Sequence, residues 1–173
     1  VEWLLARERR ETALEVVRQA VAENGKMLEV ILPLLHSFHV ERSELAAVLP
    51  ARVASWVSCG DFYKKSGDLD EAAYYWTRAL DFLDREEKLE PQWFVRLIQH
   101  YRQRKEDDKA LELLRLGIAT IPTYAPFHEW LGDHYLATGI LYRAREEYQQ
   151  VLLLEPLNEG VRRKLARLEQ PVK

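Results

Sequence analysis

The chain has 173 residues, 47% hydrophobic and 31% charged, the balance of a soluble globular domain able to bury one substantial core. Its 25 Lys and Arg against 28 Asp and Glu leave a formal charge of −3, too small to argue for nucleic acid or an anionic membrane as partner. One cysteine excludes an internal disulfide and leaves the compartment open, and no apolar run approaches the roughly 18 residues of a membrane span.

Residues 1–24 are predicted to form one helix rich in Leu, Ala, Glu and Arg, ended by a left-handed cap at Asn24-Gly25. No signal peptide is visible, and the chain opens on Val1 instead of Met, which suggests an excised fragment or a processed form. Ala13, Val17 and Ala20 have the spacing of the second half of a helical hairpin, so the expectation is a start inside such a hairpin. A second helix is predicted over 26–38, with an apolar middle from Met27 to Leu35 and Pro33 set to kink it or bound it. A short helix over 41–49 stops at Pro50. Three helix pairs follow: 53–66 with 69–85, 91–104 with 107–119, and 125–138 with 141–154. Asp68 and Glu71 have capping-box spacing for the second helix of the first pair, and Asp107 or Asp108 is expected to cap its counterpart in the next. A last helix over 158–169 carries Arg162-Arg163-Lys164 and Arg167 on a wetter face, as a terminal cap requires, and residues 170–173 are expected to fray.

The segment 125–158 organises the rest. It shows His128, Leu131-Gly132, Tyr135, Gly139, Ala144, Tyr148, Val151 and Pro156, with apolar residues at steps of three and four. Trp56, Cys59-Gly60, Tyr63, Gly67, Ala72, Trp76 and Ala79 fill the same places upstream. A weaker copy holds Phe94, Leu97-Ile98, Tyr101, Ala110, Leu114, Gly117 and Pro122. The alanines step by 110 − 72 = 38 and 144 − 110 = 34, and Tyr63, Tyr101 and Tyr135 keep the same two steps. The four extra residues of the first step belong to the charged run at 84–90, as a longer helix or a longer loop.

This order resembles the tetratricopeptide repeat (TPR), a 34-residue helix–turn–helix with the pattern W-x2-L-G-x2-Y, A-x3-F and P. In the third copy only the Trp is displaced: His128 holds its place, with Trp130 two residues on. Repeats are drawn at 53–86, 91–124 and 125–158, after a degenerate lead-in over 1–52 and before a capping helix and tail over 159–173. The resemblance implies an all-α chain, a right-handed α-α superhelix of stacked antiparallel helix pairs forming one continuous solenoid. It also implies a non-enzymatic scaffold that binds a peptide or helix of a partner protein in a concave groove lined by the first helix of each pair. Mapped onto this sequence, that groove takes Val57, Asp61 and Lys64; then Gln92, Val95, Gln99 and Arg102; then Glu129 and Asp133, with Leu136 beside them. The carboxylate clamp with which some TPR proteins grip the Hsp70 or Hsp90 tail wants Asn or a cation where Asp61, Gln99 and Asp133 stand, so that ligand is not expected. A groove of this mixed, partly acidic kind is expected to suit a peptide with basic and apolar residues.

No catalytic, cofactor or metal site is expected. His36 and His39 are three apart, but only Glu41 stands near them, and they are read as surface or helix-end histidines. His128 and His134 fall on different faces of one helix, and Cys59 occupies an apolar core place. No phosphate loop, H-E-x-x-H, G-x-S-x-G or EF-hand pattern occurs. Lys64-Lys65, Arg102 to Lys105 and Arg162 to Lys164 lie close to acidic residues, so a nucleic-acid patch is not expected. Two other readings stay open. Leu49-Pro50 followed by Gly60-Asp61-Phe62-Tyr63 and Leu131-Gly132-Asp133-His134-Tyr135 is similar to bacterial TPR segments, some appended to membrane enzymes of O-antigen-type polysaccharide assembly. The chain could also self-associate as a structural adaptor.

Overall fold

The computed structural model describes residues 1–6 and 9–169; the expected fraying of 170–173 lies outside them. The described residues are all-helical and contain no strand. They fall into two compact units, Val1–Lys88 and Leu89–Lys173, which we take in turn.

The first unit holds α1 (Glu2–Ala6), α2 (Arg10–Glu23), α3 (Met27–Ser37), α4 (Arg42–Val48), α5 (Val53–Lys65) and α6 (Leu69–Ala79). The single helix predicted over 1–24 is therefore two. The charged run Arg7-Glu8-Arg9-Arg10 offers no apolar side chain to continue a buried stripe. Instead Arg10 fastens the start of α2 across the unit, donating from Nη2 to the His39 carbonyl at 2.6 Å and to Glu44 Oε2 at 2.7 Å. The left-handed cap expected at Asn24-Gly25 is also absent. Asn24 is extended (φ −143°), and its side-chain oxygen accepts from the Lys26 N–H at 3.1 Å to make the turn. Helix α3 runs unbroken through Pro33, whose exposed face lets water replace the missing backbone bond.

Four helix–helix turns close with one backbone pattern. The N–H groups of Val40, Asp68, Glu106 and Ile140 reach back to the carbonyls of Leu35, Tyr63, Tyr101 and Tyr135 at 3.1, 2.9, 2.9 and 2.8 Å. That reach is the Schellman closure, which demands a left-handed residue one place earlier. Gly67 (φ 88°) and Gly139 (φ 76°) supply it where the sequence has glycine, and His39 (φ 51°) and Lys105 (φ 59°) supply it where it has none. The pair α3 and α4, which carries no TPR side-chain signature, thus shares the backbone turn of the repeats.

In the first unit α5 and α6 form the central hairpin, and α3 packs on α5. Trp56, Tyr63, Tyr75 and Trp76 fill it, Tyr63 and Tyr75 stacking with centroids 5.3 Å apart. Half of the capping box predicted at Asp68 and Glu71 forms: the Asp68 side chain accepts from the Glu71 N–H at 3.0 Å, while the Glu71 carboxylate accepts from Arg42 Nε at 2.9 Å instead of reaching back to the Asp68 N–H. The charged run at 84–90, expected to hold the four extra residues, is the end of a 3-10 turn, Leu80–Arg85, followed by a loop. The loop turns back to α5, where Glu86 Oε1 accepts from the Val53 N–H at 2.9 Å and satisfies an otherwise unpaired helix-end donor.

The second unit holds α7 (Gln92–Gln103), α8 (Asp107–Thr120), α9 (Ala125–Ala137), α10 (Leu141–Leu154) and α11 (Glu159–Glu169). Phe94, Leu97, Ile98, Leu114 and Phe127 are buried between the first hairpin and α9. Ala125, Ala144, Tyr148, Val151 and Val161 form the next layer, closed by Leu165 and Leu168 of α11. The predicted cap at Asp107 or Asp108 is not made. Both lie inside the first turn of α8, and Glu106 precedes it with its carboxylate turned to Arg104 and Lys109 at 2.8 and 2.6 Å.

Ala144 is fully buried and Ala137 exposed. Ala144→Leu should cost about 1–3 kcal/mol by overpacking, and Ala137→Leu within about 0.5 kcal/mol of nothing. Thermal melts of the two variants check this; equal midpoints would discredit the repeat frame.

Candidate functional site

On α5, Val57, Asp61 and Lys64 are spaced by four and three and share one face. Val57 is buried, Asp61 half-buried and Lys64 exposed. Asp61 Oδ1 accepts from the Trp76 indole N–H at 3.1 Å, and the Lys64 ammonium stands 6.0 Å from the same ring. This carboxylate is part of how α5 and α6 hold together.

In the second unit Gln92, Val95, Gln99 and Arg102 share one face of α7; Val95 is buried and the other three are exposed. Glu129 and Asp133 are half-buried on α9, and Leu136 is exposed one turn beyond. The structure gives the two acids partners that the sequence reading did not foresee. Lys164 Nζ, on α11, donates to Glu129 Oε1 at 2.8 Å and to both oxygens of Asp133 at 2.6 and 2.8 Å. The Tyr148 hydroxyl donates to Asp133 Oδ1 at 2.7 Å. Partial burial works against the Lys164 ammonium, but the bonds to Asp133 and Glu129 outweigh it and raise its pKa. Burial first, and the Asp133 acceptor second, push the Tyr148 phenol well above its usual range, so it stays a donor. One ammonium is thus shared by two carboxylates, and the acidic character expected of this face is half offset within the chain.

Between α7, α8 and α9 lies a cleft of about 230 Å³. Its floor is Ile98, Ala110, Leu111 and Leu114, one wall is Trp130, and Arg102, Asp107, Asp133 and His134 line it with polar groups. Two predicted groove residues, Arg102 and Asp133, meet here, while Gln92, Val95, Gln99 and Glu129 do not line the cleft. The Arg102 guanidinium stands 5.8 Å from the Trp130 ring centroid, a cation–π approach. Sequence reasoning missed Trp130 and Lys164. The first stands two residues from the place the repeat reserves for Trp, and the second sits in a basic run read only as a wet face.

The other candidates have structural roles. His128 is buried, with Nε2 at 3.0 Å from the Pro122 carbonyl and Nδ1 at 2.8 Å from Glu147 Oε2, so it ties the turn before α9 to α10. His36 packs edge-on against Phe62 and Tyr63, and His39 makes the α3–α4 turn. Burial pushes the Cys59 thiol far up, which keeps it protonated and unreactive. Among the described residues no three His, Cys, Asp or Glu side chains stand together to hold a metal ion, and no helix is long and apolar enough to cross a membrane.

No family model and no curated protein matches the chain. Solved structures do. The first TPR of Spaghetti (RPAP3), bound to the HSP90 peptide SRMEEVD, aligns with a TM-score of 0.53 and 24% identity over 69% of this chain and 91% of that one. The Arabidopsis OM64 TPR domain gives 0.52 and 12% over 69% and 96%, and MamA from AMB-1 gives 0.56 and 20% over 91% and 81%. The chain has the TPR fold, an all-helical repeat architecture.

Proposed function

We propose that the chain is a non-enzymatic interaction module that binds a segment of a partner protein on the first helices of its hairpins. Its contact residues are Val57, Asp61 and Lys64 in the first unit, and Gln92, Val95, Gln99, Arg102, Glu129 and Asp133 in the second. The underlying repeats are those at 53–86, 91–124 and 125–158. The observation that carries the reading is the cleft between α7, α8 and α9, an apolar floor with convergent polar groups where Arg102 and Asp133 of the expected groove meet. The fold adds support, since two similar structures contain HSP90 and HSP70 peptides.

Affinity capture with the wild-type chain and with Gln99→Ala/Arg102→Ala tests it. Both side chains are exposed, so the fold should survive their removal. A protein held by the wild type and lost by the variant is the expected result, followed by direct titration of its segments. Undiminished capture would move the contact surface elsewhere.

A further inference from the structure

We infer that the cleft of the second unit receives one large apolar side chain of the partner while Arg102 pairs with an adjacent internal carboxylate. The inference rests on the proposed binding face and reverses the expectation, drawn from sequence, of a basic peptide.

Size limits the occupant first. At about 230 Å³ the cleft is smaller than the ~300–1,000 Å³ of small-molecule sites, which suits a single side chain better than a cofactor. Leu111 and Trp130 are half-buried beside a floor of buried Ile98, Ala110 and Leu114, so an entering side chain exchanges water for carbon contacts chiefly at those two residues. An apolar anchor in such a pocket, flanked by Trp and Arg, is the composition of an interface hot spot.

Charge then sets the neighbour. Asp133, the acid at the inner edge, is bonded by Lys164 and Tyr148, and Glu129 is bonded by the same Lys164. Arg102 has a ring contact with Trp130 but no carboxylate partner among the described residues. Its guanidinium is exposed and lies beside the aromatic wall, where a carboxylate next to the anchoring residue meets it in two-pronged geometry. Asp107, exposed in the first turn of α8, opposes this and should weaken the pair.

Blocked dodecapeptides of Gly and Ser with a central Leu-Asp, Phe-Asp, Leu-Ala or Leu-Lys test the inference; the blocked ends exclude capture of a terminal carboxylate. Binding is read from the Trp130 indole N–H resonance, identified with Trp130→Phe, at peptide concentrations up to the millimolar range. Leu-Asp and Phe-Asp should bind about fivefold more tightly than Leu-Lys, equivalent to about 1 kcal/mol for an exposed pair. Arg102→Gln should abolish that preference, and Asp107→Asn should enhance it. Equal or tighter binding of Leu-Lys, or a preference that survives Arg102→Gln, overturns the inference. Peptides that move Gln92 or Gln99 but leave Trp130 still overturn the cleft and spare the interaction module. Peptides that move no resonance at all count against both.

Discussion

Gly60→Ala is expected to destabilise the first unit by about 1–3 kcal/mol, the usual cost of forcing an atom into a filled core. A Cβ at this position would stand 2.9 Å from the Ala72 carbonyl oxygen and press closer still on the Trp76 ring. Neither neighbour has room to yield. The carbonyl is helix backbone, and the indole is 2% exposed and held at its nitrogen by Asp61. For a chain of 173 residues each kcal/mol moves the melting point by about 2–4 °C. Gly25→Ala is the control, because nothing lies within 4 Å of its Cβ direction and its φ is not positive. Circular-dichroism melts should separate the two variants clearly. Matching midpoints would mean that α5 and α6 are not in the close contact described.

Tyr148 carries the corresponding contact in the second unit, and its removal should cost more. The side chain is fully buried, lies against Gly132, and sits in the layer made by Ala125, Ala144, Val151 and Val161. Tyr148→Ala should cost about 3–5 kcal/mol through the cavity it leaves. Tyr148→Phe keeps the ring and loses only the bond to Asp133, for about 1–3 kcal/mol. Urea denaturation of both variants, with Asp133→Asn alone and combined with Tyr148→Phe, separates packing from the hydrogen bond. A Phe variant as damaged as the Ala variant would place the energy in the polar pair and contradict the packing account.

Much of this hairpin architecture was legible from side chains. Gly60 and Gly132 fall where paired helices touch, Ala72, Ala110 and Ala144 keep their register, and Asp68 caps α6 as its spacing implied. The misses came from places where periodicity carries no information. The break after α1 falls in a charged run with no apolar beat, and Pro33 lies on a wet face where a helix tolerates it. At the candidate site, Arg102 and Asp133 were expected from the mapped TPR frame, and both line the cleft. The charge state of that face was not, because Lys164 approaches from 31 residues beyond Asp133 and no local pattern links them. A nearer signal existed for the α3–α4 turn: His is among the residues that tolerate a left-handed backbone, and His39 sits between two apolar helices.

The Schellman closures have a consequence for which substitutions the turns accept. A bend written in main-chain amides and carbonyls makes little demand on the letters that spell it, as Lys105 and His39 show by standing in for glycine. Such a scaffold can drift far in composition while its path through space stays put.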